Sequence, residues 1–172
     1  MQDDREQPQP QPEAEPASFL SLLDIHDRIE EIFLVHQEAL LDLDIPLAAA
    51  SLRRFGEALR HHIQVEEDIL LPIYQQAPPP PGGATELFRG EHRKLCEFLD
   101  RFEQLLALMQ DRPADLKRRI LHLYDLQASF KNLMEHHDLR EKNIFYPTLD
   151  AITSRREREA LLPVCAARSE PE

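Results

Sequence analysis

Two segments of the chain repeat the same spacing of an imidazole, a carboxylate and a proline. Over His62–Pro72 the sequence reads HIQVEEDILLP, and over His137–Pro147 it reads HDLREKNIFYP. In each copy the histidine stands one helical turn before a glutamate: His62 before Glu66, His137 before Glu141. Side chains at that spacing project from one face of a helix. An imidazole nitrogen beside a carboxylate oxygen suits a divalent metal, and two such pairs read as two halves of one metal site. The matched prolines, Pro72 and Pro147, predict that each helix stops just beyond its pair.

Four long amphipathic segments can position these groups. Helical periodicity predicts helices over about 18–43, 46–75, 84–110 and 113–145. The first buries a stripe of Phe19, Leu22, His26, Ile29, Phe33 and Leu40, and the second one of Leu52, Phe55, Leu59, His62, Glu66, Ile69 and Ile73. The third carries Phe88, His92, Leu95, Leu99, Phe102 and Leu106. The fourth carries Leu123, Leu126, Phe130, Leu133, His137, Glu141 and Ile144. Asp44-Ile45-Pro46, the run from Ala77 to Gly83, and Asp111-Arg112-Pro113 separate them as short connections. The expected fold is all-α: an antiparallel up-down-up-down four-helix bundle. Its boundaries are 18–152. An acidic Pro/Gln-rich segment over 1–17 is expected to be a disordered tail, and 153–172 a short helix over 153–162 with a frayed end.

Each helix therefore places one histidine on its apolar face: His26, His62, His92 and His137. Four buried imidazoles converging with two buried carboxylates are costly unless a ligand partners them. The candidate metal ligands are His26, His62, Glu66, His92, His137 and Glu141. Two ions are expected, each with two histidines and with Glu66 and Glu141 bridging. Imidazole and carboxylate without a thiolate pair suit iron, manganese or zinc. A five-residue spacing, His61 to Glu66 or His136 to Glu141, is also open, although the hydrophobic stripe favours His62 and His137. His36 and His122 lie too far along their helices and read as surface or packing residues. Glu30 and Glu67 read as rim or solvated charges, and Tyr74 and Tyr146 as packing residues near helix ends.

Composition narrows the class further. The formal charge is -12, which disfavours nucleic acid and anionic membrane surfaces as partners. Only 4 glycines and no tryptophan argue against a turn-rich β fold. Cys96 and Cys165 form no CxxC pair, so neither a disulfide framework nor a zinc knuckle is expected. HExxH is absent, which removes support for a zincin-type protease. The N-terminus lacks the basic-then-apolar order of a secretory signal, and the expected location is cytoplasmic.

The motifs IHDRI at His26, HIQVEEDILLP at His62, EHRKL at His92 and HDLREKNIFYP at His137 together resemble the hemerythrin-like, or HHE cation-binding, family. The resemblance covers about residues 18–150. It implies a non-haem centre of two iron ions, bridged by carboxylate and by oxo or hydroxo groups, with the six residues named above as ligands. Oxygen-carrying members have a further histidine one turn after the third-helix ligand, where this chain has Cys96. They also space the last carboxylate five residues after its histidine, not four. The four-histidine, two-glutamate pattern is more similar to iron-centre repair proteins and iron-sensing hemerythrin domains. The resemblance thus implies binding or sensing of oxygen or nitric oxide, or iron handling, with an unidentified redox partner. The alternatives are a di-iron enzyme that reduces nitric oxide or peroxide or repairs damaged iron centres, and, from another class, a metal-free helical interaction module.

Overall fold

A computed structural model describes residues 17–169, and every regular element among them is helical. The expected tail lies outside the described residues except for Ala17. Ser18 caps a 3-10 turn, Phe19–Leu22, by accepting a hydrogen bond from the Leu20 amide, and α1 (Leu23–Leu41) follows. The Asp44 side chain accepts from the Leu47 amide at 3.0 Å and starts α2 (Ile45–Val65), with Pro46 in the first turn, where its missing N–H costs nothing. A π-helical turn, Glu66–Leu70, joins α2 to α3 (Leu71–Tyr74). After the proline-rich loop come α4 (Thr85–Ala107) and α5 (Leu116–Arg140). A second π turn, Glu141–Phe145, joins α5 to α6 (Tyr146–Ile152), and α7 (Arg155–Ser169) closes the described chain.

These helices pack as a bundle: α1 lies along α2, α4 along α5, and α2 also touches α4 and α7. Order along the helices places the histidines between two aromatic layers. On one side Phe33, Phe55, Phe102 and Phe130 meet, with ring centroids 4.7 Å apart for Phe33–Phe55 and 5.4 Å for both Phe33–Phe130 and Phe102–Phe130. On the other, Phe88 and Phe145 are 4.9 Å apart, and Tyr74 and Phe145 5.0 Å.

Three expectations need correction. The prolines do not stop the helices. Leu71 N–H bonds back to the Glu66 carbonyl and Tyr146 N–H to the Glu141 carbonyl, five residues away, immediately before Pro72 and Pro147. The wider turn relieves both objections to an internal proline, the unmade hydrogen bond and the ring's collision with the preceding turn. Each π turn also holds one residue more than an α turn, so the buried stripe shifts by one position beyond the glutamate. Leu70, Leu71 and Tyr74 are buried where Ile69 and Ile73 were expected, and Phe145, Tyr146 and Leu149 are buried beyond Ile144.

The third correction concerns the C-terminal segment. Its helix runs Arg155–Ser169, longer than the stretch expected over 153–162, and is not frayed up to that point. Cys165 and Ser169 are buried, and α7 lies against α2. Arg158 fastens it by donating to the carbonyls of Ala17 at 2.7 Å and Asp150 at 2.8 Å. The Asp150 carboxylate in turn accepts from the Phe19 amide at 3.0 Å, so the N-terminal turn, α6 and the first turn of α7 meet there.

Phe130 is fully buried and contacts four other aromatic rings. Phe130→Ala is expected to lower the stability of the metal-free protein by about 3–5 kcal/mol, measured by urea unfolding, because the rigid surroundings cannot close the cavity.

Candidate metal centre

All six sequence-derived ligand candidates are buried and come together. Donor atoms of Glu66, His92, His137 and Glu141 lie within 4.8 Å of one another, and so do those of His26, His62 and Glu141. Glu141 belongs to both groups. Across the first group, His92 Nε2 is 3.2 Å from Glu66 Oε2, and His137 Nε2 is 2.8 Å from Glu141 Oε1. Across the second, His26 Nε2 is 2.9 Å from His62 Nε2 and 3.2 Å from Glu141 Oε2. His62 Nε2 stands 3.7 Å from Glu66 Oε1, which ties the two groups together.

These short separations are mostly not hydrogen bonds. Glu66 Oε2, His92 Nε2 and Glu141 Oε1 are buried and make none, because the neighbouring atoms are close but misaligned. Lone pairs aimed at shared points rather than at one another are what a cation requires. Two donors each about 2.1 Å from an ion and at right angles to each other lie about 3 Å apart. The residues therefore fit metal ions, and an orphaned buried carboxylate oxygen is hard to account for otherwise.

An outer ring of carboxylates orients the imidazoles. His92 Nδ1 pairs with Glu67 Oε1 at 2.9 Å. His137 Nδ1 pairs with Glu91 Oε2 at 3.2 Å, and Arg140 grips Glu91 at 2.9 Å. Arg140 also donates to the Gly82 carbonyl at 3.0 Å, tying the proline-rich loop to this support. A carboxylate on Nδ1 places the proton there and leaves Nε2 as the ligand atom. His26 Nδ1 lies 3.3 Å from Asp138 Oδ1 but is not aligned for a hydrogen bond, and His62 Nδ1 has no hydrogen-bond partner.

Two side chains dismissed on sequence grounds take part. Glu67 is the partner of His92 rather than a solvated charge. Tyr146 donates to Glu66 Oε1 at 2.7 Å and sits 3.5 Å from Glu141 Oε2. Its inward direction comes from the π-turn phase shift, which periodicity alone does not reveal. Tyr74, by contrast, donates to the Gly83 carbonyl at 2.7 Å and braces the loop. His36 is a core residue, bonded to the Ala48 carbonyl at 2.8 Å and to Gln127 at 2.8 Å. His61 is half-buried, its Nδ1 without a hydrogen-bond partner, while His122, His136 and Glu30 are exposed. Cys96 is half-buried and contributes no atom to either donor group. Glu91 and Asp138 adjoin the ligand histidines in sequence, and that adjacency was the only signal that could have pointed to them.

The electrostatics show what the donors do without an ion. Burial, then the Glu66 charge, pushes the Glu141 carboxyl well above the usual range. Burial also disfavours charge on Glu66, but His62 and His92 outweigh it and hold Glu66 well below that range. Burial opposes charge on His137, yet Glu141 and Glu91 overcome it and raise His137 well above its ordinary value. Burial and the neighbouring His62 push His26 down to about 3, leaving it neutral. In the metal-free site both shifts favour keeping a proton within the His137–Glu141 pair, and a cation would compete with it.

Helices that converge four imidazoles and two carboxylates in a dry core define a metal-binding helical bundle. The family model for the hemerythrin HHE cation-binding domain matches residues 21–149, and the chain belongs to that family. No curated protein and no solved structure matches it.

Metal binding at neutral pH is expected to release protons, because His137 and Glu141 hold them above their ordinary pKa values in the folded, metal-free protein. Affinity should rise with pH until both folded-state pKa values are passed. Calorimetric titrations in two buffers of different ionisation enthalpy check this: identical apparent enthalpies would contradict it. Tyr146→Phe removes the donor to Glu66 and is expected to weaken metal binding about 10–100-fold while leaving helix content unchanged, as followed by competition with a chromophoric chelator.

Proposed function

We propose that this protein is a non-haem di-iron protein that binds or senses oxygen or nitric oxide, or handles iron. The observation that carries the reading is the pair of overlapping donor groups joined through Glu141. In this reading His26 and His62 would hold one iron and His92 and His137 the other, with Glu66 and Glu141 supplying carboxylate oxygens to both. The four long helices alternate in direction, which brings one histidine from each to the same depth. When bound, an iron pair with so few protein ligands supplies redox change and open coordination positions for a small molecule.

The chain's own groups determine what such a centre can do. The phenylalanine layers on either side exclude water and favour a small, weakly polar ligand over a large or charged one. Burial first, then Glu141 and Glu66, raise the Tyr146 phenol well above its ordinary pKa, so it stays a hydrogen-bond donor. The charge of -12 argues against nucleic acid and anionic membranes as partners. No helix among the described residues is long and apolar enough to cross a membrane. A cytoplasmic location and a separate redox partner belong to the same proposal.

One observation favours the enzymatic alternative, reduction of nitric oxide or peroxide or repair of iron centres, because such reductions consume protons. Asp138, beside His26, has its carboxyl pushed by burial to about 7, so it can hold and release a proton near neutrality. The metal-free interaction module is disfavoured by the orphaned oxygens of Glu66 and Glu141.

Protein expressed under iron-replete conditions is expected to contain two irons per chain by elemental analysis. Its reduced form should change optical spectrum on exposure to oxygen or nitric oxide. Zinc retained under iron excess, or a spectrum indifferent to both gases, would overturn the reading. Catalytic consumption of nitric oxide or peroxide with an electron donor would move it to the enzyme alternative.

A further inference from the structure

The repeat is symmetric in its ligands but not in their surroundings. Aligning the copies sets His62 against His137 and Glu66 against Glu141, but Val65 against Arg140, and on the preceding helices Ile25 against Glu91. His137 therefore has a carboxylate on its outer nitrogen, itself gripped by Arg140, and the residue aligned with that carboxylate in the other half is a buried isoleucine, Ile25. His92 has its own carboxylate partner, Glu67. On the other side, His26 has only the misaligned Asp138, and His62 Nδ1 is buried without a hydrogen-bond partner. The donor groups differ in the same direction: the one containing His92 and His137 has four members, and the one containing His26 and His62 has three.

Access differs as well. A cavity of about 250 Å³ between α1 and the end of α5 is lined by His26 together with four carboxylates, Asp27, Glu30, Glu135 and Asp138, against a single cation, Lys142. Carboxylates along such an opening raise the local concentration of cations and repel anions.

We propose that the two metal positions are functionally unequal. The His92–His137 position is a retained site, and the His26–His62 position is an exchangeable one, loaded and emptied through the acid-lined cleft between α1 and α5. The proposal rests on the two-metal reading above. Its physical basis is that a carboxylate on the distal imidazole nitrogen fixes the ring and raises its basicity, and losing that partner costs about 10–100-fold in affinity.

The test is a titration of metal-free protein with Co²⁺, followed by its visible absorption, and then a chelator challenge of the loaded protein. Two ions should bind in steps separated by about tenfold or more in affinity, and the chelator should remove one ion quickly and the other slowly. Glu91→Gln should weaken the His92–His137 position about 10–100-fold, so that the two steps merge or exchange order, and leave the affinity of the His26–His62 position within about twofold. His26→Ala should abolish the second step and preserve the first. Because His26→Ala leaves a hole in the core, Glu30→Gln with Glu135→Gln provides an independent arm on exposed residues: it should slow exchange of the fast ion without changing the slow one. Two equal steps in the parent protein, or Glu91→Gln weakening only the His26–His62 position, would overturn the inequality and leave the two-metal reading intact. Uptake of no more than one ion by the parent protein would overturn both.

Discussion

Burying two carboxylates and four imidazoles in one layer of a helical bundle is the constraint on which the rest of this structure depends. Each of those six groups is buried, and several of their atoms face one another without hydrogen-bonding. Left alone, such a layer is a destabilising gap between two well-packed aromatic layers. Cations resolve it, and in their absence burial and mutual charge shift the His137–Glu141 pair toward keeping a proton. Stability and metal affinity are therefore linked: the ligands that ions bring together are supplied by every one of the long helices.

The two π turns are the backbone's share of the site. Each begins at a buried glutamate of the site, Glu66 or Glu141, and ends just before a proline. The additional residue rotates the next helical turn, so the aromatic layer beyond the site is built from Tyr74, Phe145 and Tyr146 rather than from Ile73 and Ile144. That rotation brings a phenol to Glu66 and a second phenol to the loop at Gly83. The repeated proline is thus part of the site's architecture.

Internal symmetry sets the ligands, and divergence between the halves sets their surroundings. Glu91 with Arg140, Glu67, Asp138 and Tyr146 have no chemical equivalents in the other half, where Ile25 with Val65, Lys142, Ile63 and Leu71 stand. A duplicated ligand set therefore sits in an unsymmetrical field, more polar around His92 and His137 and more apolar around His62. In the two-metal reading proposed above, such unequal surroundings would give otherwise similar ions different affinities and different access, which a symmetric site cannot do.

The sequence by itself determined the helical class, the six converging side chains and the matched halves. A period of 3.6 and an imidazole–carboxylate spacing of one turn are local properties, and His26, His62, Glu66, His92, His137 and Glu141 all announced themselves that way. Stripe reading also separated His62 from His61 and His137 from His136 correctly in burial. Tertiary structure alone decided three matters. It turned Pro72 and Pro147 from stops into markers of π turns, because a turn's width depends on packing rather than on residue type. It made Glu67 and Tyr146 partners of the site, because each reaches a residue on another helix, His92 or Glu66, and no local period encodes a distance between helices. It gave His36 a buried bond to Ala48 and left Cys96 outside both donor groups, because the rotation of each helix about its axis is fixed only by its neighbours.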